Sequence, residues 1–169
     1  MAKISGTSTS EYARLGDLLS ETLDSGKDVG ASVSVTVEGE TVVDIWGGWA
    51  DEAQTTPWGR DTITNVWSTT KTMTFLSTLV LAERGLLDYH EKVSTYWPEF
   101  AQNGKADIEV RHLMGHTSGV SAWEQPVAVE DIYDWEKSTA MLAAQEPWWE
   151  PGTQSGYHAL NQGHLVGEV

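Results

Sequence analysis

Residues 65–71 read Asn65-Val66-Trp67-Ser68-Thr69-Thr70-Lys71. Ser68 and Lys71 are three positions apart, so on a helix their side chains share one face and can meet. A serine hydroxyl is a poor nucleophile until a nearby base accepts its proton, and a lysine buried among apolar groups can have its pKa lowered enough to be that base. We expect the apolar surroundings to come from Met73, Phe75 and Leu76.

The segment that begins at Ser68 has a helical pattern as far as Leu87. Its apolar residues are distributed around most of the helix circumference, which predicts a helix buried inside a fold. Unpaired main-chain N–H groups at the start of such a helix could also stabilise an oxyanion on an attacked carbonyl group. The spacing of Ser68 and Lys71 therefore predicts a nucleophile and a base at a helix N-terminus.

The rest of the chain predicts a mixed structure of helices and one hairpin. Alternating apolar residues indicate a β-hairpin formed by residues 29–37 and 41–49, with a turn at Glu38-Gly39-Glu40. Helical spacing predicts helices at 11–23, 108–114, 129–145 and 157–169. An isolated two-stranded hairpin is only marginally stable, and the last residues carry no helix stop signal. We therefore expect strands to be missing and the chain to be a fragment.

Composition excludes several classes of function. The 169 residues carry a formal net charge of −15, from 10 Lys and Arg against 25 Asp and Glu, so we expect no nucleic-acid and no membrane partner. The absence of Cys excludes disulfides, thiolate zinc sites, iron–sulfur clusters and a cysteine nucleophile. Residues 1–17 have neither the basic cluster nor the apolar run of a signal peptide, which predicts a cytoplasmic protein.

Four further motifs follow residues 65–71 in a fixed order. They are Glu83-Arg84-Gly85-Leu86-Leu87-Asp88, Tyr96-Trp97-Pro98-Glu99-Phe100, Arg111-His112-Leu113-Met114-Gly115-His116-Thr117-Ser118-Gly119 and Glu150-Pro151-Gly152-Thr153. Together the five motifs resemble the serine β-lactamase and penicillin-binding protein superfamily, in which Ser-x-x-Lys is a signature. The chain is most similar to the class C β-lactamase-like group and the family VIII carboxylesterases. This resemblance extends from the hairpin to the last residue.

The resemblance implies an α+β fold, made of an α/β sandwich and an all-α subdomain, of which this chain is the N-terminal part. Residues 1–67 would form the first helix and hairpin of the α/β subdomain. Residues 68–169 would form the nucleophile helix and the helical subdomain, truncated at the C-terminus. Residues outside this chain would then complete the antiparallel sheet and supply an oxyanion-hole partner and a Lys-Thr-Gly or His-x-Gly type segment.

The same resemblance assigns three catalytic residues. Ser68 is implied to be the acyl-accepting nucleophile, and Lys71 its proton partner. Tyr157 follows Pro151-Gly152-Thr153 as the family's catalytic tyrosine does, and a phenol beside an ammonium could carry the proton from Ser68 to the leaving group. Ala159 stands where class C β-lactamases have an asparagine, and this difference favours ester hydrolysis over lactam recognition.

His116 admits two other interpretations, a serine–histidine pair with Ser118 and a metal site with His112. The spacing from His112 to His116 lacks the glutamate of the zinc-protease motif, and Gly115 interrupts the helix. We therefore expect no metal. In the family that the chain resembles this segment is structural, so we expect His116 to fix a turn by hydrogen bonding.

The sequence thus predicts a serine hydrolase that acts through an acyl-enzyme, without a cofactor, on a small-molecule ester. The alternatives within the superfamily are a β-lactamase, a D-amino-acid peptidase, an amide hydrolase and an acyltransferase. An inactive binding module that retains the fold is a further alternative, because fold alone does not imply function. The other expected partner is the missing C-terminal segment, in the same chain or as a separate chain.

Overall fold

The computed structural model describes residues 1–169 and has two units, Met1–Asn65 and Val66–Val169. The first unit is built on a three-stranded antiparallel sheet, with β1 at Ile4–Ser8, β2 at Gly30–Val37 and β3 at Glu40–Gly48. The strand order is β1-β3-β2, so β3 is central. Helix α1, Arg14–Asp24, contacts β1 and β3.

The hairpin of β2 and β3 confirms the sequence prediction. Its turn residues Glu38 and Gly39 both have positive φ, 51° and 87°, as the tight turns that match strand twist require. Alternate residues of β3 face α1, where Val43 and Ile45 form a small core with Leu19.

Strand β1 was not expected from the sequence. It has a single large apolar residue, Ile4, and pairs with β3 from Ile4 opposite Gly47 to Ser8 opposite Val43. The pairing of β1 depends on main-chain hydrogen bonds to β3, which is distant in the sequence. The residues of β1 also show no apolar alternation, so the local pattern could not predict the strand.

The second unit is helical. Its elements are α2 Thr70–Glu83, α3 Val93–Tyr96, α4 Val110–Met114, α5 Val129–Tyr133, α6 Trp135–Ala144 and α7 Gln162–Gly167. One core joins these elements. Its fully buried side chains include Phe100 of the 3-10 turn Pro98–Ala101, Leu113 of α4, Leu142 of α6 and Leu165 of α7. The mixed α+β class predicted from the sequence is confirmed. None of the seven helices of the chain has the length and apolar character needed to cross a bilayer, and the cellular location stays a prediction.

Three predicted helices are shorter or divided in the structure. Helix α2 ends at Glu83 rather than Leu87, because Gly85 has a φ of 68°, outside the helical region. The segment 129–145 forms two helices, since Asp134 leaves the helical conformation and its carboxylate accepts a hydrogen bond from the main-chain N–H of Lys137. In the segment 157–169 only Gln162–Gly167 is helical.

Helix α2 is not buried as its sequence pattern predicts. Thr78 is its only buried residue. A large part of its apolar surface is exposed, at Met73, Leu76, Leu79, Val80 and Leu81. Within the second unit the helix contacts mainly the preceding 3-10 turn and α7, which are too short to cover a helix of 14 residues.

Candidate active site

Ser68 lies in a turn of 3-10 helix, Trp67–Thr69, that leads directly into α2. Trp67 has a φ of 48°, a left-handed conformation that is rare for a bulky residue and is concentrated at functional sites. This change of chain direction puts Ser68 at the exposed N-terminal end of the helical segment, so its hydroxyl is accessible.

The amino group of Lys71 connects the two parts of the chain that form the site. Its Nζ lies 3.4 Å from Oγ of Ser68, as their spacing predicted. The same Nζ donates a hydrogen bond of 2.9 Å to the main-chain carbonyl of Ala159. The nucleophile turn is thereby joined to a segment that is 88 residues further along the chain.

Tyr157 faces this pair. Its ring centroid lies 5.0 Å from Nζ of Lys71, and 55% of the residue is exposed. A hydrogen bond with Ser68, and after it one with Lys71, lowers the pKa of the Tyr157 hydroxyl. The structure therefore brings the three residues named from the sequence together, with hydrogen bonds that favour the phenolate form.

The predicted apolar surroundings of Lys71 are wrong at two of the three positions. Met73 is 61% exposed and Leu76 is 48% exposed, because both lie on the uncovered side of α2. Only Phe75 is partly buried. The immediate environment of the Lys71 amino group consists of oxygen acceptors and an aromatic ring.

A cavity of 330 Å³ opens beside Ser68, within the size range of small-ligand sites. Its wall is formed by Trp67, Ser68, Thr70, Lys71, Thr74, Ala159, Leu160 and Gly163. A larger cavity of 540 Å³ lies between residues 103 and 146 and contains none of the three residues. The smaller cavity is the candidate substrate site, since Ser68 and Lys71 form part of its wall.

His116 has the structural hydrogen bond that was expected of it. Its Nδ1 accepts from the main-chain N–H of His158 at 3.1 Å, and burial, followed by the charge of Lys71, lowers its pKa. His112 also uses Nδ1 on the main chain, accepting from the N–H of Glu109 at 3.1 Å. No group of three or more potential metal-ligating side chains lies together in the chain.

Ser118 pairs with His158, a contact that the sequence analysis missed. Ser118 Oγ lies 2.7 Å from His158 Nε2, and both residues are completely buried. The two are 40 positions apart, so no local spacing could reveal the pair. The only sequence signal was a histidine directly after the candidate catalytic Tyr157.

A family model described as Beta-lactamase matches residues 15–169. Among curated proteins, the chain is 42% identical over 137 residues to "Esterase/beta-lactamase LipL" of Mycobacterium tuberculosis. That match covers 81% of this chain and 32% of the relative.

Two solved structures resemble almost the whole chain. A family VIII carboxylesterase superposes with a TM-score of 0.92 and 46% identity, and a penicillin-binding protein homologue from Caulobacter crescentus superposes with a TM-score of 0.93 and 36% identity. Each match covers 98% of this chain and 45% of the solved chain. The serine β-lactamase-like fold predicted from the sequence motifs is confirmed, and the chain spans less than half the length of these relatives.

Proposed function

Because the chain belongs to the β-lactamase family, we propose that it carries the nucleophile and proton-transfer groups of a serine hydrolase that acts on small carboxylic esters. The observation that carries this proposal is the meeting of Ser68, Lys71 and Tyr157, of which Ser68 and Lys71 also line the cavity beside the nucleophile turn. A nucleophile within hydrogen-bond reach of a base, which is itself held by a third group, is the arrangement that covalent catalysis needs.

In the proposed reaction Ser68 Oγ attacks the ester carbonyl carbon, while the serine proton passes to the phenolate of Tyr157, which is hydrogen-bonded to Ser68 and Lys71. The same proton then goes to the leaving alkoxide as the carbon–oxygen bond breaks, and an alcohol departs. Water then attacks the acyl-enzyme and gives one proton to the Tyr157 phenolate. Tyr157 passes this proton to Ser68 Oγ as the bond to the acyl carbon breaks, so the carboxylic acid is released and the Ser68 hydroxyl is restored. Lys71 donates hydrogen bonds throughout and holds Ser68 and residue 159 together.

Ester preference is supported by residue 159. Lys71 bonds to the main-chain carbonyl of Ala159, and this residue has no side-chain amide to offer a lactam. The solved family VIII carboxylesterase, at 46% identity, supports the same choice, whereas the name of LipL includes both an esterase and a β-lactamase.

We further propose that the active unit, meaning this chain together with a C-terminal segment in the same or a separate polypeptide, is larger than the 169 residues. The exposed apolar side of α2 supports this, since contiguous apolar surface is normally covered. The segment would complete the sheet and supply a second oxyanion donor. Loss of one such donor typically costs about 10²- to 10³-fold in rate, so we expect the chain alone to be nearly inactive.

A panel of p-nitrophenyl esters of increasing acyl length, beside a chromogenic cephalosporin, tests the function of the active unit. We expect the short esters to be hydrolysed fastest and the cephalosporin more slowly than any of them. Faster turnover of the cephalosporin would support a β-lactamase instead. If the active unit hydrolysed neither substrate class and reacted with no phosphonate, an inactive binding module would be the correct assignment.

A further inference from the structure

The buried pair of Ser118 and His158 has a defined direction of hydrogen bonding. His158 Nδ1 lies 2.6 Å from the main-chain carbonyl of Gly156, which can only accept, so Nδ1 carries the proton. In the neutral ring Nε2 is then an acceptor, and Ser118 Oγ at 2.7 Å must donate to it. Ser118 Oγ in turn accepts from the main-chain N–H of Val120 at 3.1 Å. All the polar side-chain atoms of Ser118 and His158 therefore have hydrogen-bond partners, and only one assignment of donors and acceptors satisfies them.

The ring of His158 is neutral at physiological pH. Burial lowers the pKa of His158 to about 4, while the carbonyl of Gly156 favours the charged form, and His116 and Lys71 disfavour it. A neutral ring keeps the donor and acceptor roles of its two nitrogens distinct.

The segment around Tyr157 is held on both sides by these contacts. The main-chain N–H of Gly156 donates to the carbonyl of His116 at 3.0 Å, and the N–H of His158 donates to Nδ1 of the same residue at 3.1 Å. The carbonyl of Gly156 accepts from Ser121 Oγ at 2.8 Å in addition to His158. The Tyr157 side chain is largely exposed, so its position depends on this fixed main chain.

We propose that Ser118 and His158 are positioning residues, which fix the main chain on both sides of Tyr157 and so hold its hydroxyl against Ser68 and Lys71. The proposal rests on the function proposed above. The pair is not a second nucleophilic centre, because Ser118 Oγ is completely buried and His158 is oriented by a peptide carbonyl rather than a carboxylate. A displacement of about 1 Å at a reacting group can cost about 10²-fold in rate.

Ser118→Ala tests the proposal in the active unit. We expect kcat on a p-nitrophenyl ester to fall about 10- to 100-fold with KM within about twofold, because the misplaced group acts on the chemical step and not on ground-state binding. His158→Asn should have a similar effect, and the double variant should be no worse than the poorer single variant, since both break one hydrogen-bonded chain. Ser138→Ala is the matched control, because Ser138 is also buried and its Oγ has no partner.

Two spectroscopic readouts separate this proposal from the proposed function. In ¹⁵N-histidine spectra at pH 7, His158 should be the neutral Nδ1–H tautomer. In ¹³Cζ-tyrosine titrations, the pKa of Tyr157 should rise towards the ordinary tyrosine value in Ser118→Ala and stay unchanged in Ser138→Ala.

These readouts do not need activity, so failure to hydrolyse esters would count against the function alone. A charged or Nε2–H His158 in the unmodified protein would overturn the positioning role, even if Ser118→Ala did not fold. The positioning role would also be overturned if Ser118→Ala had the same kcat and the same Tyr157 pKa as the Ser138→Ala control.

Discussion

Nζ of Lys71 lies 2.9 Å from the main-chain carbonyl oxygen of Ala159, two residues after the candidate catalytic tyrosine. This hydrogen bond joins α2 to the segment that carries Tyr157, and the same Nζ reaches Ser68 Oγ at 3.4 Å. The candidate site is therefore held by one amino group that bridges two distant parts of the chain.

Lys71→Arg should be nearly as inactive as Lys71→Ala in steady-state ester hydrolysis by the active unit. A guanidinium keeps the positive charge, but its planar fork does not reproduce the two contacts that the compact amino group makes with Ser68 Oγ and the carbonyl of Ala159. Lys92→Arg is the control, since Lys92 forms an exposed ion pair with Asp107 at 2.6 Å. Substantial activity in Lys71→Arg would show that Lys71 supplies only positive charge.

Tyr157→Phe should lower kcat/KM about 10²- to 10⁴-fold, the usual contribution of general acid–base catalysis. In the unmodified protein kcat/KM should rise with pH through an apparent pKa below that of ordinary tyrosine, because hydrogen bonds with Ser68 and Lys71 favour the ionised phenol. The phenylalanine variant should lose this rise, whereas Tyr133→Phe, at a largely exposed tyrosine, should keep it. An unchanged pH profile in Tyr157→Phe would exclude Tyr157 as the base.

Gly156→Ala should reduce both stability and activity. A Cβ at this position would lie 2.4 Å from the ring of Trp149 and 2.5 Å from Ser121 Oγ, so the segment before Tyr157 must shift. Gly16→Ala is the control, because Gly16 lies in α1 away from the cavity, a Cβ there meets no atom within 4 Å, and alanine favours the helical conformation. Gly156→Ala should unfold at a lower temperature and hydrolyse esters more slowly than the unmodified protein, whereas the control should be at least as stable and equally active. Equal behaviour of the two variants would contradict the clash.

Lys105 should make stability depend on pH in the alkaline range. The residue is completely buried, its Nζ donates to the carbonyls of Gln102 and Gln145, and burial lowers its pKa to about 8. Between about pH 8 and the unfolded value of 10.5 the unfolded chain binds more protons, so this group makes the folded state more stable as pH rises.

Urea unfolding at pH 7.5 and 9.5 measures the effect. Relative to Lys105→Met, the unmodified protein should gain up to about 1.4 kcal/mol of unfolding free energy per pH unit in this window. Parallel pH dependence of the two proteins would mean that Lys105 has no such shift.

The features that local spacing encodes could be predicted from the sequence. The hairpin followed from the alternation of Val33, Val35 and Val37, and the contact of Ser68 with Lys71 followed from a separation of three residues. Both depend on neighbours in the chain, where the periods of strand and helix determine which side chains meet.

Contacts between distant segments could not be predicted in this way. Strand β1 depends on pairing with β3, and the Ser118–His158 pair joins residues 40 positions apart. The buried environment expected for α2 failed for a related reason: an apolar pattern predicts burial but does not identify the segment that covers it. The break at Asp134 was missed because a capping residue competed with an otherwise continuous helical pattern.

Mass spectrometry after reaction of the active unit with an active-site-directed phosphonate tests the central claim most directly. We predict one adduct per molecule, located by peptide mapping on Ser68, absent in Ser68→Ala and retained in Ser77→Ala, which removes a serine hydroxyl from α2. Circular dichroism of Ser68→Ala should match that of the unmodified protein, because only one small exposed hydroxyl is removed. An adduct on another residue, or equal labelling of Ser68→Ala, would contradict the assignment of Ser68 as the nucleophile.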